Sequence, residues 1–205
     1  MLPGGILNDG FATSWIDNVI AKAKPYGQGW ERGMVDAGDT VCGENQLLHD
    51  QYVDNVAVAR EIDYYDPVEH DRYNPSTFAD EIEVPVFLAS AWQDEQTGPY
   101  FFTLLDKFTK SPASRLTVYN GVHIDAFQPD VLEDWFDFLD LYVADRVPFD
   151  HTLERALAPQ LYQTVFGTSN IELDASKYIG VATVEEARAM WSAEPKLRAL
   201  FESGA

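Results

Sequence analysis

A single cysteine, Cys42, stands in this sequence of 205 residues, which excludes an internal disulfide and any multi-cysteine zinc site. Basic residues are also scarce: 14 lysines and arginines face 34 aspartates and glutamates, for a formal net charge of −20. A surface of that sign repels phosphate backbones and anionic membranes alike, so neither nucleic acid nor a membrane is expected as a partner. No apolar run approaches the roughly 20 residues that cross a bilayer. The opening residues MLPGGILNDG lack the basic segment and apolar core of a signal peptide. The expected product is soluble, cytoplasmic or secreted. Dinucleotide signatures are missing too, because Gly4-Gly5 and Gly27-x-Gly29 follow no predicted strand.

What is present is ordinary globular composition, 46% apolar and 23% charged, without repeats or low-complexity tracts. The first eighty residues read as helical and irregular. Residues 12–24 predict a helix with Trp15, Val19 and Ile20 on one face, residues 27–43 a Gly-rich loop, and residues 44–60 a second helix carrying Leu47, Leu48, Tyr52, Val56 and Ala59. Residues 62–75, with two prolines, read as loop. No strand is predicted before residue 82. From there the pattern changes. Val84–Ala91 is a continuous apolar run, as for a strand buried on both faces. Thr97 then opens a predicted helix to Ser111, Arg115–Asn120 reads as a second strand, and Pro129 suits the first turn of a helix to Arg146. A last helix is expected from a Thr183–Glu186 capping box to Ala193, followed by a strand beginning at Leu197. Strand, helix, strand, helix with connections too long for hairpins predicts parallel pairing and an α/β class.

Parallel sheets bind ligands beyond the carboxyl ends of their strands. The first strand ends in Trp92-Gln93-Asp94-Glu95 and the second in Gly121-Val122-His123-Ile124-Asp125. If the strands are neighbours, they stand about 5 Å apart, and Asp94 can reach the His123 ring. A carboxylate on an imidazole fixes its tautomer and steadies the imidazolium formed when it takes a proton, which is what a hydrolase needs to generate a nucleophile. Gly121 is expected to let the chain turn sharply before the histidine. Glu95 and Asp125 are alternative partners for His123 by spacing alone. A strand-end aspartate also commonly caps the next helix. Trp92, Ile124 and Phe127 flank the pair and are candidates to line an acyl pocket. His123 and Asp125 could supply two metal ligands, but no second cluster accompanies them, and His49, His70 and His151 are scattered, so no metal is expected.

The segment Ile82–Arg146, with IEVPVFLASAWQDEQTG, RLTVYNGVHIDAFQP and WFDFLDLYVADR, resembles the closing part of an α/β-hydrolase catalytic domain. More closely, it is similar to the cocaine-esterase-like (CocE/NonD) hydrolases, relatives of the Xaa-Pro dipeptidyl-peptidases. The resemblance implies that Asp94, in the Trp92-Gln93-Asp94 turn, is the triad acid, and that His123 is the triad histidine. It implies a helical cap-like region over residues 1–78, the closing part of the catalytic domain over 79–150, and over 151–205 a connecting segment that enters a C-terminal β-sandwich. Acyl esters or amides of small molecules or peptides are the implied substrates, without a cofactor.

The family's chain order is nucleophile, acid, histidine, with the serine on a G-x-S-x-G elbow. That elbow is missing here. Ser14 and Ser76 lack flanking glycines, Ser90 lies inside a predicted strand, and Ser169 follows the histidine. The early strands and oxyanion loop of the fold have no counterpart either. The expectation is therefore part of a serine hydrolase that contains the acid and histidine but no nucleophile, inactive or nearly so by itself. A non-catalytic binding or structural module of the same fold is the alternative.

Overall fold

The structure, a computed structural model, describes residues 8–49, 51 and 53–200. It forms two compact units, Met1–Tyr73 and Asn74–Ala205.

The first unit is built of short helices: α1 (Phe11–Asn18), α2 (Glu31–Asp36), α3 (Thr40–His49), α4 (Asn55–Arg60) and α5 (Pro67–His70). The helix expected over 12–24 stops early. The Asn18 side-chain amide donates to the Ser14 carbonyl at 2.8 Å, competing with the next turn of the ladder. A 3₁₀ turn, Ile20–Ala23, follows. Thr13 and Ile16 are the buried positions of α1, whereas Trp15, Val19 and Ile20 are exposed, contrary to the expected face. The expected loop over 27–43 instead holds α2 and the start of α3. Gly38, at φ +96°, enters the left-handed region where side chains are strained, and Gly38 and Asp39 donate back to Val35 and Met34 at 2.9 and 3.0 Å. The single helix expected over 44–60 is two, because Asp54 caps α4 by accepting from Val56 and Ala57 at 3.1 and 3.0 Å. Val56 and Ala59 are buried as the spacing predicts, Leu47 and Leu48 are exposed, and Tyr52 lies outside the described residues. The proline-bearing stretch over 62–75 contains α5, with Asp66 as its cap and Pro67 in its first turn.

The second unit is of mixed α/β class. Strands β1 (Val86–Ala91), β2 (Ser114–Tyr119) and β3 (Leu197–Leu200) form a parallel sheet in that order, with helices α6 (Pro129–Tyr142), α7 (Thr152–Phe166) and α8 (Val184–Ala193) around it. Val86 is opposite Ser114 and Ala91 opposite Tyr119, so both strands end level. The central strand β2 is buried throughout. Leu197–Leu200 pairs with Leu116–Tyr119 and so extends the sheet by a third strand. Between β1 and β2 the expected helix is a 3₁₀ segment, Tyr100–Lys107, starting after Pro99. Helix α7 has no counterpart in the sequence expectation, since Pro159 and a weak apolar pattern conceal it.

One core gathers Leu141, Tyr178, Ala187 and Trp191 with Phe87, Phe138 and Tyr142. A second, Ala91, Tyr119 and Val131, lies directly under the strand ends. Helix α6 buries Asp134, Asp137 and Asp140 beside Val131 and Leu141, while Trp135 is exposed. Partners explain this. Arg198 and the Thr117 hydroxyl donate to Asp134 at 2.9 and 3.1 Å, Lys177 stands 3.6 Å from Asp137, and Arg146 donates to Asp140 at 2.9 and 2.6 Å. Buried Arg115 donates to Glu194 and the Trp191 carbonyl at 2.8 and 2.6 Å, with its guanidinium 3.5 Å over the Trp191 ring. Charges this deep persist when paired.

Candidate functional site

The level ends of β1 and β2 create the site. Past the sheet the two loops stay joined: Trp92 donates to the Tyr119 carbonyl at 2.9 Å, and Gln93 to the Gly121 carbonyl at 3.1 Å. This brings together two residues 29 positions apart. His123 Nδ1 lies 2.8 Å from Asp94 Oδ2, with the Asp94 side chain 7% exposed and the His123 side chain 48% exposed. The carboxylate is sheltered and the ring faces outward.

Asp94 performs both jobs that its position suggests. Oδ2 meets the imidazole, while Oδ1 accepts from the Gln96 and Thr97 backbone at 2.9 and 2.7 Å, closing the turn after the strand. Burial works against its ionisation, but the hydrogen bonds from Thr97, His123 and Gln96 outweigh it and hold the carboxyl below its ordinary value. An ionised carboxylate only accepts, so Nδ1 carries the proton in this bond. In its neutral form the ring then presents a bare Nε2, the nitrogen that can receive a proton.

The other two acids in the loops hold main chain. Glu95 Oε2 accepts the His123 N–H at 2.9 Å, and Asp125 Oδ2 accepts the Val122 N–H at 2.8 Å. Both were candidate partners for the ring by spacing; the structure gives the ring to Asp94. The bond from His123 pulls the Glu95 carboxyl below its ordinary value. Burial, reinforced by the Asp94, Asp125 and Glu95 charges, pushes the Tyr119 phenol up to about 12, so it stays protonated beneath the site. Gly121 is needed for room rather than for a sharp turn, since a Cβ there would meet Asp125 Cβ at 2.8 Å and overlap its carboxylate.

Of the candidate pocket residues, Trp92, Ile124 and Phe127 are all exposed around the pair. Trp92 packs its ring 5.6 Å from that of Phe102, a residue no sequence pattern singled out. The Ser90 hydroxyl is buried and bonded to the backbone, as its strand position predicts for a serine that is not a nucleophile. Among the described residues no group of three or more histidine, cysteine, aspartate or glutamate side chains is placed to hold a metal ion. No helix among them is long and apolar enough to cross a membrane.

A cleft of about 330 Å³ lies elsewhere in the unit, between α6, the start of α7 and residues 173–177. It contains His151 but not His123. Burial, reinforced by Asp174 and Asp130, pushes the Glu133 carboxyl up to about 7. Burial also raises Asp137 to about 7 in spite of Lys177. Neither ring nitrogen of His151 has a hydrogen-bond partner, so this cleft lacks the oriented imidazole that the strand ends possess. No protein-family model, curated protein or solved structure matches the chain.

Proposed function

We propose that the chain supplies the acid and the histidine of a serine hydrolase that cleaves acyl esters or amides, Xaa-Pro dipeptidyl bonds among them. The observation that carries this is the 2.8 Å bond between a sheltered Asp94 carboxylate and a solvent-facing His123 ring. His123 Nε2 takes the proton from a serine hydroxyl as its oxygen attacks the substrate carbonyl, and then delivers that proton to the departing alcohol or amine. Water repeats the cycle on the acyl-serine. Asp94 keeps the ring in the Nδ1–H tautomer and stabilises the imidazolium between the two transfers. Trp92, Ile124 and Phe127 offer apolar surface to the acyl group. The serine is not in this sequence, in keeping with the missing elbow, and the hydrolase fold is inferred from the resemblance of Ile82–Arg146 together with the parallel strands that carry the pair.

The test is to read the coding sequence upstream of Met1 for a strand followed by G-x-S-x-G, and to express that longer chain. Ester hydrolysis should fall by at least about 10³-fold in His123→Ala and in Asp94→Ala. A closed upstream frame, or hydrolysis indifferent to His123, overturns the proposal, as does robust hydrolysis by the present 205 residues.

A further inference from the structure

We infer that Glu95 is a positioning residue for His123, holding the histidine by its main chain while its neighbour Asp94 holds the ring. This rests on the assignment of Asp94 and His123 as the working pair. Two consecutive residues of one loop grip one residue of the other: Asp94 Oδ2 lies 2.8 Å from Nδ1, and Glu95 Oε2 lies 2.9 Å from the backbone nitrogen. A single bond to the ring leaves the backbone of His123 free to shift and the ring free to swing about its side-chain torsions. Adding a second bond at the backbone fixes where the side chain starts as well as where it ends. Catalytic groups need that precision, since misplacement by about 1 Å can cost on the order of 10²-fold in rate.

Local structure explains why an outside acceptor is needed. His123 begins the 3₁₀ turn His123–Phe127, and the first N–H groups of any helical turn have no partner within it. Asp125 takes the Val122 N–H from inside the turn. The His123 N–H is left to Glu95, 28 residues away in sequence. Glu95 is itself held, because the Gln96 side-chain amide donates to its other oxygen at 3.2 Å. The loop carrying both acids is fixed in turn by the two Asp94 Oδ1 bonds and by the Gly98 N–H on the Asp94 carbonyl at 3.2 Å. Glu95 side-chain atoms are otherwise exposed, so its substitution leaves the core untouched.

The experiment uses the chain as it is, labelled with ¹⁵N, and needs no substrate. Two signals are read by NMR: hydrogen exchange of the His123 backbone amide, and the ring Nδ1–H resonance bonded to Asp94. Glu95→Ala should speed exchange of that amide by at least about tenfold and weaken the Nδ1–H signal, while β2 amides such as Thr117 stay protected. Glu95→Gln keeps an acceptor oxygen and should restore both signals to within about threefold of wild type. Unchanged signals in Glu95→Ala, or a Glu95→Gln as loose as the alanine variant, overturn the positioning role. If the wild-type protein itself shows no bonded Nδ1–H, the acid–histidine pairing fails instead, and the two failures are told apart in one spectrum.

Discussion

Two histidines of the second unit stand beside buried aspartates, and they differ in every property that matters for proton transfer. His123 meets Asp94 at 2.8 Å, with its ring 48% exposed and its backbone held by Glu95. His151 stands 4.0 Å from Asp140, only 18% exposed, with its ring between those of Phe149 and Phe136 at centroid distances of 4.4 and 5.0 Å. Arg146 takes only one oxygen of Asp140; the other has no hydrogen-bond partner and stays out of bonding reach of the ring, and neither nitrogen of His151 makes a hydrogen bond. Proximity of an acid to an imidazole is therefore not a site. The acid must come within hydrogen-bond distance of Nδ1, and the other nitrogen must reach solvent. The strand-end loops meet both conditions, whereas the α6–α7 region uses the same residue types for packing and charge pairing.

The sharpest break in this comparison is functional. In the longer chain, Asp94→Ala and His123→Ala should each lower kcat/KM for an acyl ester by about 10³–10⁴-fold, while His151→Ala should change it by less than about threefold. Stability need not follow activity. Asp140→Ala removes two bonds to an Arg146 side chain that water still reaches and should cost about 0.5–1.5 kcal/mol in urea denaturation, although it belongs to the packing of α6 rather than to the strand-end loops. Chemical access separates the rings directly: acylation of neutral imidazole by diethyl pyrocarbonate, mapped by peptide mass spectrometry, should be at least about tenfold faster at His123 than at His151, whose nitrogens must wait for local opening.

The smallest effect concerns pH. Glu133 and Asp137 are raised to about 7, so the folded state binds protons that the unfolded chain releases near pH 4. Their contribution is fully present below about pH 4 and is lost as pH rises through 7. Glu133→Gln should thus raise stability at pH 8 by on the order of 1 kcal/mol and change it little at pH 4. Asp94 has the opposite sign: its contribution is present above the ordinary carboxylate range and is lost only as pH falls through its lowered value. Thermal unfolding of wild type and Glu133→Gln at the two pH values checks the sign for Glu133.

The strand-end site was legible in the sequence because it rests on short-range rules. A continuous apolar run names β1, the residues after it name the turn, and parallel pairing places two strand ends on one edge. Choosing Asp94 over Glu95 and Asp125 was not legible from spacing, since all three lie within a few residues of the strand ends; only the placement of each oxygen separates them. The buried face of α6 is not legible in the sequence, for a physical reason. Periodicity counts apolar residues, while Asp134, Asp137 and Asp140 are buried by arginines and a lysine 6 to 64 positions distant in sequence. The short helices of the first unit were merged or missed because capping by Asp54 and Gly38 outweighs a weak apolar pattern. Leu197 was read as the start of a strand, but which sheet it would join depends on contacts with β2 that local pattern does not encode.

The claim that His123 is an oriented proton acceptor is tested most directly by a long-range ¹H–¹⁵N spectrum of the ¹⁵N-histidine-labelled chain at pH 8, in wild type and Asp94→Asn. Wild-type His123 should be in the Nδ1–H tautomer with a bare Nε2, and this preference should be lost in Asp94→Asn while the His151 signals stay put. An Nε2–H tautomer, or a His123 spectrum that Asp94→Asn leaves unchanged, would contradict it.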